Sequence, residues 1–215
     1  YTEDFTPIES ISTITSFTLH KFEGQTIDLL LPQLASILSK LPNLSDINLA
    51  HCQMKGVSSL ADLPAKALNR LHLYNNQISD ISPLMDKIVD SDYLNLQNNP
   101  LNNTALSTLI PALMEKGITV EYDEPPADII KMSDSVIEDA IRQAIDISTD
   151  LLTPANTSAI VDLDLTDAGV SDLDVEALKA FSNLKTLNLT NNPLSSNAVL
   201  VQIPELESAG ITVDL

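Results

Sequence analysis

Residues 94–120, LNLQNNPLNNTALSTLIPALMEKGITV, return without insertion or deletion as residues 187–213, LNLTNNPLSSNAVLVQIPELESAGITV, at a constant offset of 93. Leu94, Asn95 and Leu96 reappear as Leu187, Asn188 and Leu189, and Ile110, Pro111 and Leu113 as Ile203, Pro204 and Leu206. Gly117 and Val120 reappear as Gly210 and Val213. A pattern this long, carried twice in register, makes the chain a tandem of two related units, so the repeat has to be read before any single residue.

A shorter period lies inside it, apolar-x-x-apolar-x-apolar-x-x-Asn-x-apolar. In the first half it runs Leu68, Leu71, Leu73, Asn76, Ile78 and then Ser91, Leu94, Leu96, Asn99, Leu101. Leu44, Ile47, Leu49, Cys52 and Met54 fit with cysteine at the Asn place, and a weaker copy at Ile14, Phe17, Leu19, Phe22 and Gly24 begins the series. The second half matches at Ile160, Leu163, Leu165, Ala168, Val170 and at Leu184, Leu187, Leu189, Asn192, Leu194. Successive starts are 24, 23 and 24 residues apart (44 to 68, 68 to 91, 160 to 184). That spacing is in the roughly 20–29-residue range of leucine-rich repeats. The LxL core predicts a short strand with both leucines turned into the stack and their neighbours outward. The Asn at the turn can satisfy backbone groups that neither the strand nor the following segment pairs.

The stretches between the strands have helical spacing at residues 32–41, 104–116 and 175–181. Gly117 and Gly210 stand where a helix exit takes a left-handed residue, and residues 118–122 and 211–215 then add terminal edge strands. Each half thus carries its own end cap, which a repeat array needs because its last layer has no neighbour. The acidic, double-proline stretch EYDEPPAD (121–128) predicts an extended connector, dividing the chain into domains 1–124 and 125–215. After it, Ser133 or Asp134 can cap a helix whose Val136, Ile137, Ala140, Ile141, Ala144 and Ile145 form one apolar face, expected to cover the open start of the second stack.

Composition narrows the function classes. Aromatic residues are 4% and Trp is absent, so the interior must be thin layers of Leu, Ile, Val and Ala. The net charge is −19, with 7 basic against 15 acidic residues up to 124 and 4 against 15 beyond. A phosphate backbone needs a basic face, so nucleic acid is excluded as a partner, and an anionic membrane is disfavoured for the same reason. The one cysteine, Cys52, allows neither an intrachain disulfide nor a cysteine zinc cluster. No apolar run reaches the roughly 18 residues of a membrane span, and no signal-like segment is visible. A start at Tyr1 rather than Met fits a mature or trimmed segment and is compatible with export.

At these residues the chain resembles bacterial leucine-rich-repeat proteins of the internalin-like kind. Residues 132–152, IVDLDLTDAGVSDL (160–173) and NLKTLNLTNNPLSS (183–196) resemble that family's helical cap, first repeat and typical repeat. The NNPL-to-GITV stretches resemble its closing repeat. The resemblance covers about residues 40–122 and 132–215. It implies an α/β leucine-rich-repeat solenoid, a right-handed β-α superhelix in two short units, exported and secreted or held at the bacterial cell surface. It further implies binding of a protein or other macromolecule through a strand-lined concave face, with no catalytic residue and no cofactor. The segment 1–40 departs from the family, the arrays are short for it, and no anchor motif is present.

Outward strand positions of the first half include Thr18, His20, Lys21; Asp46, Asn48, His51; Arg70, His72, Tyr74; and Tyr93, Asn95, Gln97. All three histidines fall in this set, which raises zinc. They stand at different offsets on strands about 4.8 Å apart, so polar strand-face residues are the favoured reading and no metal is assigned. In the second half the face carries Asp162, Asp164 and Asp167, then Lys185, Thr186, Asn188 and Thr190. Calcium would need a dense series of oxygen ligands that D-x-D alone does not provide, so solvated charge is favoured there. No phosphate loop, nucleophile elbow or paired acid and base is present, and the chain is not expected to be an enzyme.

The expected function is a non-catalytic protein-binding module acting as a monomer without membrane insertion. The alternative is a structural spacer or end cap of a larger surface protein or enzyme, with no ligand of its own. Contact hot spots favour Tyr, Trp and Arg, because a ring or guanidinium buries much area for little lost freedom. Those types gather at Arg70, His72, Tyr74 and Tyr93, the candidate partner-binding residues. Asp162, Asp164 and Asp167 are the second candidate face.

Overall fold

In the computed structural model the described residues are 13–19, 27–88, 91–147 and 150–215. They form two compact units, residues 1–101 with 109–124, and residues 125–215 with 102–108.

The first unit contains a five-stranded sheet whose spatial order follows the sequence: β1 (Ser16–Thr18), β2 (Asp46–Asn48), β3 (Arg70–His72), β4 (Tyr93–Asn95) and β5 (Thr119–Glu121). Every pair is parallel, and the central residues Phe17, Ile47, Leu71, Leu94 and Val120 lie in one register row. Ile47, Leu71 and Leu94 are fully buried, as period-two alternation requires of the middle residue in an x-apolar-x strand. The second leucine of each motif, Leu49, Leu73 or Leu96, is buried just past the strand. Here the expected leucine-rich-repeat layers form.

The strands stop after three residues because the chain then turns through left-handed positions at His51, Asn75 and Asn98, with φ of 59°, 56° and 56°. The Asn three residues beyond the second leucine, Asn76 or Asn99, stabilises that corner from within by donating back to the leucine carbonyl. The return side is helical and short. In α1 (Leu31–Leu38), Leu31, Leu34, Ala35 and Leu38 are buried, the i, i+3, i+4, i+7 spacing of a core-facing stripe. Single 3-10 turns at Ser58–Asp62, Ala65–Leu68 and Ser82–Leu84 serve the later repeats. The closing segment is a π-helical turn, Ala105–Leu109, running into α2 (Ile110–Glu115), and it leaves the helix at Gly117 with φ of +90°. That backbone conformation favours glycine, which lacks the Cβ that would clash there.

The second unit repeats the plan with fewer layers. Its helices are α3 (Ser135–Ala144), α4 (Pro154–Thr157), α5 (Val175–Lys179) and α6 (Ile203–Ser208). Its sheet is β6 (Asp162–Asp164), β7 (Thr186–Asn188) and β8 (Thr212–Asp214), parallel, with Leu163, Leu187 and Val213 in register. Asp134 caps α3 by accepting from the N–H groups of Val136 and Ile137, and Thr153 and Asn156 form a reciprocal capping box at α4. Ile137 and Ile141 of α3 join one core cluster with Leu163, Leu187 and Leu206.

The apolar face expected of α3 needs correction. Val136 is 58% exposed and Ala144 is exposed, whereas Glu138 and Arg142 are buried. Residues 102–108 cause this rotation, because they pack on α3 within this unit. Glu138 accepts from the backbone N–H of Asn103 and of Thr104 at 2.9 and 2.7 Å and from the Thr104 hydroxyl at 2.7 Å. Arg142 pairs with Glu138 at 2.7 Å and donates to the Asp150 carbonyl and to Asn103 Oδ1. The Asn103 amide donates to the carbonyls of Ile130 and Leu152, and its oxygen also accepts the Leu152 N–H. A buried charge pair is tolerated when its remaining hydrogen-bonding capacity is filled, and this one is.

Candidate functional site

The alternation that buries Leu71 and Leu94 turns Arg70 and His72 outward beside Tyr93 and Asn95, and the register sets Arg70 opposite Tyr93 and His72 opposite Asn95. The Arg70 guanidinium carbon stands 5.1 Å from the centre of the Tyr93 ring, a cation–π distance. Its Nε lies 3.9 Å from an Asp46 carboxylate oxygen, and its side chain is still 49% exposed. The His72 ring centroid is 5.0 Å from that of Tyr93, tilted by 49°, and His72 Nε2 lies 3.9 Å from the other Asp46 oxygen. Arg70, His72 and Tyr93 thus form one cluster anchored on Asp46.

Tyr93 is held from its far side as well. The Asn95 amide donates to the Tyr93 hydroxyl at 3.1 Å, to Gln97 Oε1 at 3.3 Å and to Glu121 Oε2 at 2.7 Å. Partial burial pushes the Tyr93 phenol above its ordinary range, and Glu121 pushes it the same way, against opposing effects of Asn95 and Arg70. At neutral pH the ring is therefore an uncharged phenol able to donate. A ring and a guanidinium already held by neighbours lose little further freedom on contact with a partner.

Tyr74 is placed differently. It lies past the end of β3, where its carbonyl accepts the His51 N–H at 3.2 Å and its ring meets the His51 ring edge-on at 5.3 Å. Asn75 Nδ2 is 3.4 Å from His51 Nε2. The four candidates therefore sort into a cluster of Arg70, His72 and Tyr93 and a separate pair of Tyr74 with His51. Sequence reasoning did not include Asp46, His51, Asn95 or Glu121 among the binding residues. For Glu121 the signal was present, since T-V-E repeats the x-apolar-x of Y-L-N. Asn95 stands on the outward face, as expected, but is buried among its partners Tyr93, Gln97 and Glu121. The outward positions His20 and Lys21 lie outside the described residues, and Thr18 is exposed.

On the second unit, Asp162 and Asp164 are exposed on β6, and Asp167 follows in a left-handed turn with φ of 55°. Asp164 Oδ1 accepts from the Thr166 hydroxyl at 2.6 Å and the Thr166 N–H at 3.0 Å, bonds that hold its carboxyl below the ordinary range. Asn188 makes the same pair of bonds with Thr190 at the next turn. Beside the face, α3 and residues 164–168 flank a cleft of about 460 Å³ bordered by Asp139, Asp164 and Asp167. Three carboxylates at its rim repel an anionic ligand. Among the described residues, no three His, Cys, Asp or Glu side chains gather where they could hold a metal ion.

Residues 183–205 match the Leucine Rich Repeat family model. That stretch spans β7, the Asn192 turn and the entry to α6, and the same strand and turn recur at Leu71 to Asn76 and at Leu94 to Asn99. Each unit is a short leucine-rich-repeat solenoid of the α/β class. Among solved structures it is similar to an internalin (inlF) from Listeria monocytogenes str. 4b F2365, with 21% identity and a TM-score of 0.38 over 99% of this chain and 51% of that one. It therefore spans about half the length of that internalin chain. No curated protein matches it.

Proposed function

We propose that this chain is a non-catalytic protein-interaction module, secreted or displayed at a bacterial cell surface, and that it grips a macromolecular partner with the strand face of its first unit. The observation that carries this reading is the Arg70–Tyr93–His72 cluster, in which the Tyr93 ring is in contact with a guanidinium and an imidazole on the strand face. Tyr and Arg are the residues that most often dominate binding energy. The Tyr74 and His51 pair supplies a second contact on the same strand ends, and the acidic face at Asp162, Asp164 and Asp167 is the secondary site. The resemblance of residues 132–152, 160–173 and 183–196 to internalin-like sequences supports the extracellular location. No helix among the described residues is long and apolar enough to cross a membrane.

The test is site-specific photo-crosslinking. A benzophenone side chain at Gln97, on the strand face, should trap one discrete partner from host or bacterial extract, and the same group at Lys116, exposed after α2, should not. Adducts at Lys116 and none at Gln97 would move the contact to the convex side. No adduct at either site, in every extract tried, would favour the spacer reading.

A further inference from the structure

Residues 102–108 and 195–201 are the same stretch of the 93-residue repeat, and both run through a π-helical turn, Ala105–Leu109 and Ala198–Gln202. The backbone is set alike in the two. Asn102 Oδ1 accepts the Ala105 N–H at 2.8 Å, Ser195 Oγ accepts the Ala198 N–H at 3.0 Å, and both alanines are fully buried. What differs is the cover. Asn102, Asn103, Thr104 and Leu106 are buried, with residues 130–152 seated on their stretch by the bonds to Glu138, Ile130 and Leu152. Ser107 and Thr108 donate to the Met132 carbonyl from the same side.

Their counterparts in 195–201 are bare. Ser196 and Asn197 are exposed, and Val199, Leu200 and Val201 are 43%, 73% and 55% exposed in one run. Leu200 and Val201 stand where the first copy has Ser107 and Thr108. Three consecutive apolar residues in water are an unfavourable surface for which folding of this unit gives no reason. We propose that residues 195–201 are a docking surface for a helical cap of the 130–152 kind, presented by a partner polypeptide.

The first copy specifies the chemistry of that occupant. Its helix is amphipathic and carries a glutamate in its first turns with an arginine four residues on. The glutamate accepts the backbone N–H groups of Ser196 and Asn197, as Glu138 accepts those of Asn103 and Thr104. The surface is distinct from the strand face of the first unit, and it stands whether or not that face binds a protein.

The test uses the full chain with a second copy of residues 123–215 appended after Leu215, the spacing that follows Tyr122 in the repeat. A Leu200→Cys substitution reports cover through its rate of thiol labelling, with little background because Cys52 is buried. The extended chain is expected to label at least about tenfold more slowly than the 215-residue chain carrying the same substitution. Because Ser196 replaces the Asn103 amide, the extended chain is also tested with Ser196→Asn, and protection in either form supports the proposal. Equal labelling in both forms overturns it. Labelling of the 215-residue chain that slows as its concentration rises would assign the surface to a second copy and overturn it as well.

Discussion

The side-chain oxygen of Asn76 accepts the backbone N–H of Cys52, one repeat upstream, at 3.0 Å. The same oxygen accepts the Met54 N–H at 3.0 Å, and the amide donates to the carbonyls of Leu49 and Leu73 at 2.9 and 2.8 Å. Asn99 and Asn192 repeat the arrangement, accepting from Ile78 and Val170 and donating back to Leu73 and Leu165. Each Asn therefore stitches its own corner to the preceding one. Asn76→Ala leaves four buried backbone groups without that partner, and at about 1–3 kcal/mol for an orphaned group the variant should lose about 2 kcal/mol or more. Urea unfolding checks this, and an unchanged midpoint would contradict the repeat register.

Cys52 occupies the Asn place of its own repeat, and its thiol makes one of the Asn bonds, to the Leu19 carbonyl at 3.4 Å. Burial pushes this thiol up from 9.0 to about 11. The native chain should thus resist thiol reagents at pH 8 and label only on unfolding, because the thiolate is the nucleophile. The folded state favours the protonated form, so this contribution to stability is complete below pH 9 and is lost as pH rises toward 11. Unfolding midpoints from pH 8 to 11 should fall more in the parent than in Cys52→Ser.

Leu71 and Leu187 are fully buried in a core one layer thick. Truncating either to Ala should cost about 2–5 kcal/mol, through lost transfer energy and an unfilled cavity. Thermal melts of the two variants test this, and a loss below about 1 kcal/mol would mean that the layer collapses freely around the gap.

Arg142→Met removes the cation from Glu138, whose side chain is fully buried. A buried charge stripped of its partner costs about 3–5 kcal/mol, whereas Glu138→Gln with Arg142→Met removes both charges and should recover part of that loss. A double-mutant cycle by urea unfolding reads the coupling. Additive losses would show that the pair is not linked.

The strands, their register and the inward leucines were legible because a period of 23 or 24 residues repeats local pattern and local contacts together. Gly117 and Gly210 marked the helix exits correctly, both at φ of +90°. The burial of Glu138 was not legible. Its position in the first turns of a capped helix reads as a solvated charge, and only Asn103 and Thr104, about 35 residues earlier, draw it inside. The candidate site was half legible for a similar reason. Alternation located Arg70, His72 and Tyr93 on one face, but the left-handed turn at His51, which brings its ring to Tyr74, lies past the strand, where a period of two no longer says which way a side chain faces.

The most direct test of the binding account is the affinity of a Tyr74→Ala, Tyr93→Ala double variant for the partner trapped at Gln97. Calorimetric titration is paired with a thermal melt of the same preparation. The expected result is an unchanged melt with affinity weakened by about 2 kcal/mol or more, roughly thirtyfold in Kd. Affinity within about twofold of the parent, with folding intact, would contradict the strand-face assignment and move the contact to Asp162, Asp164 and Asp167 or to the convex side.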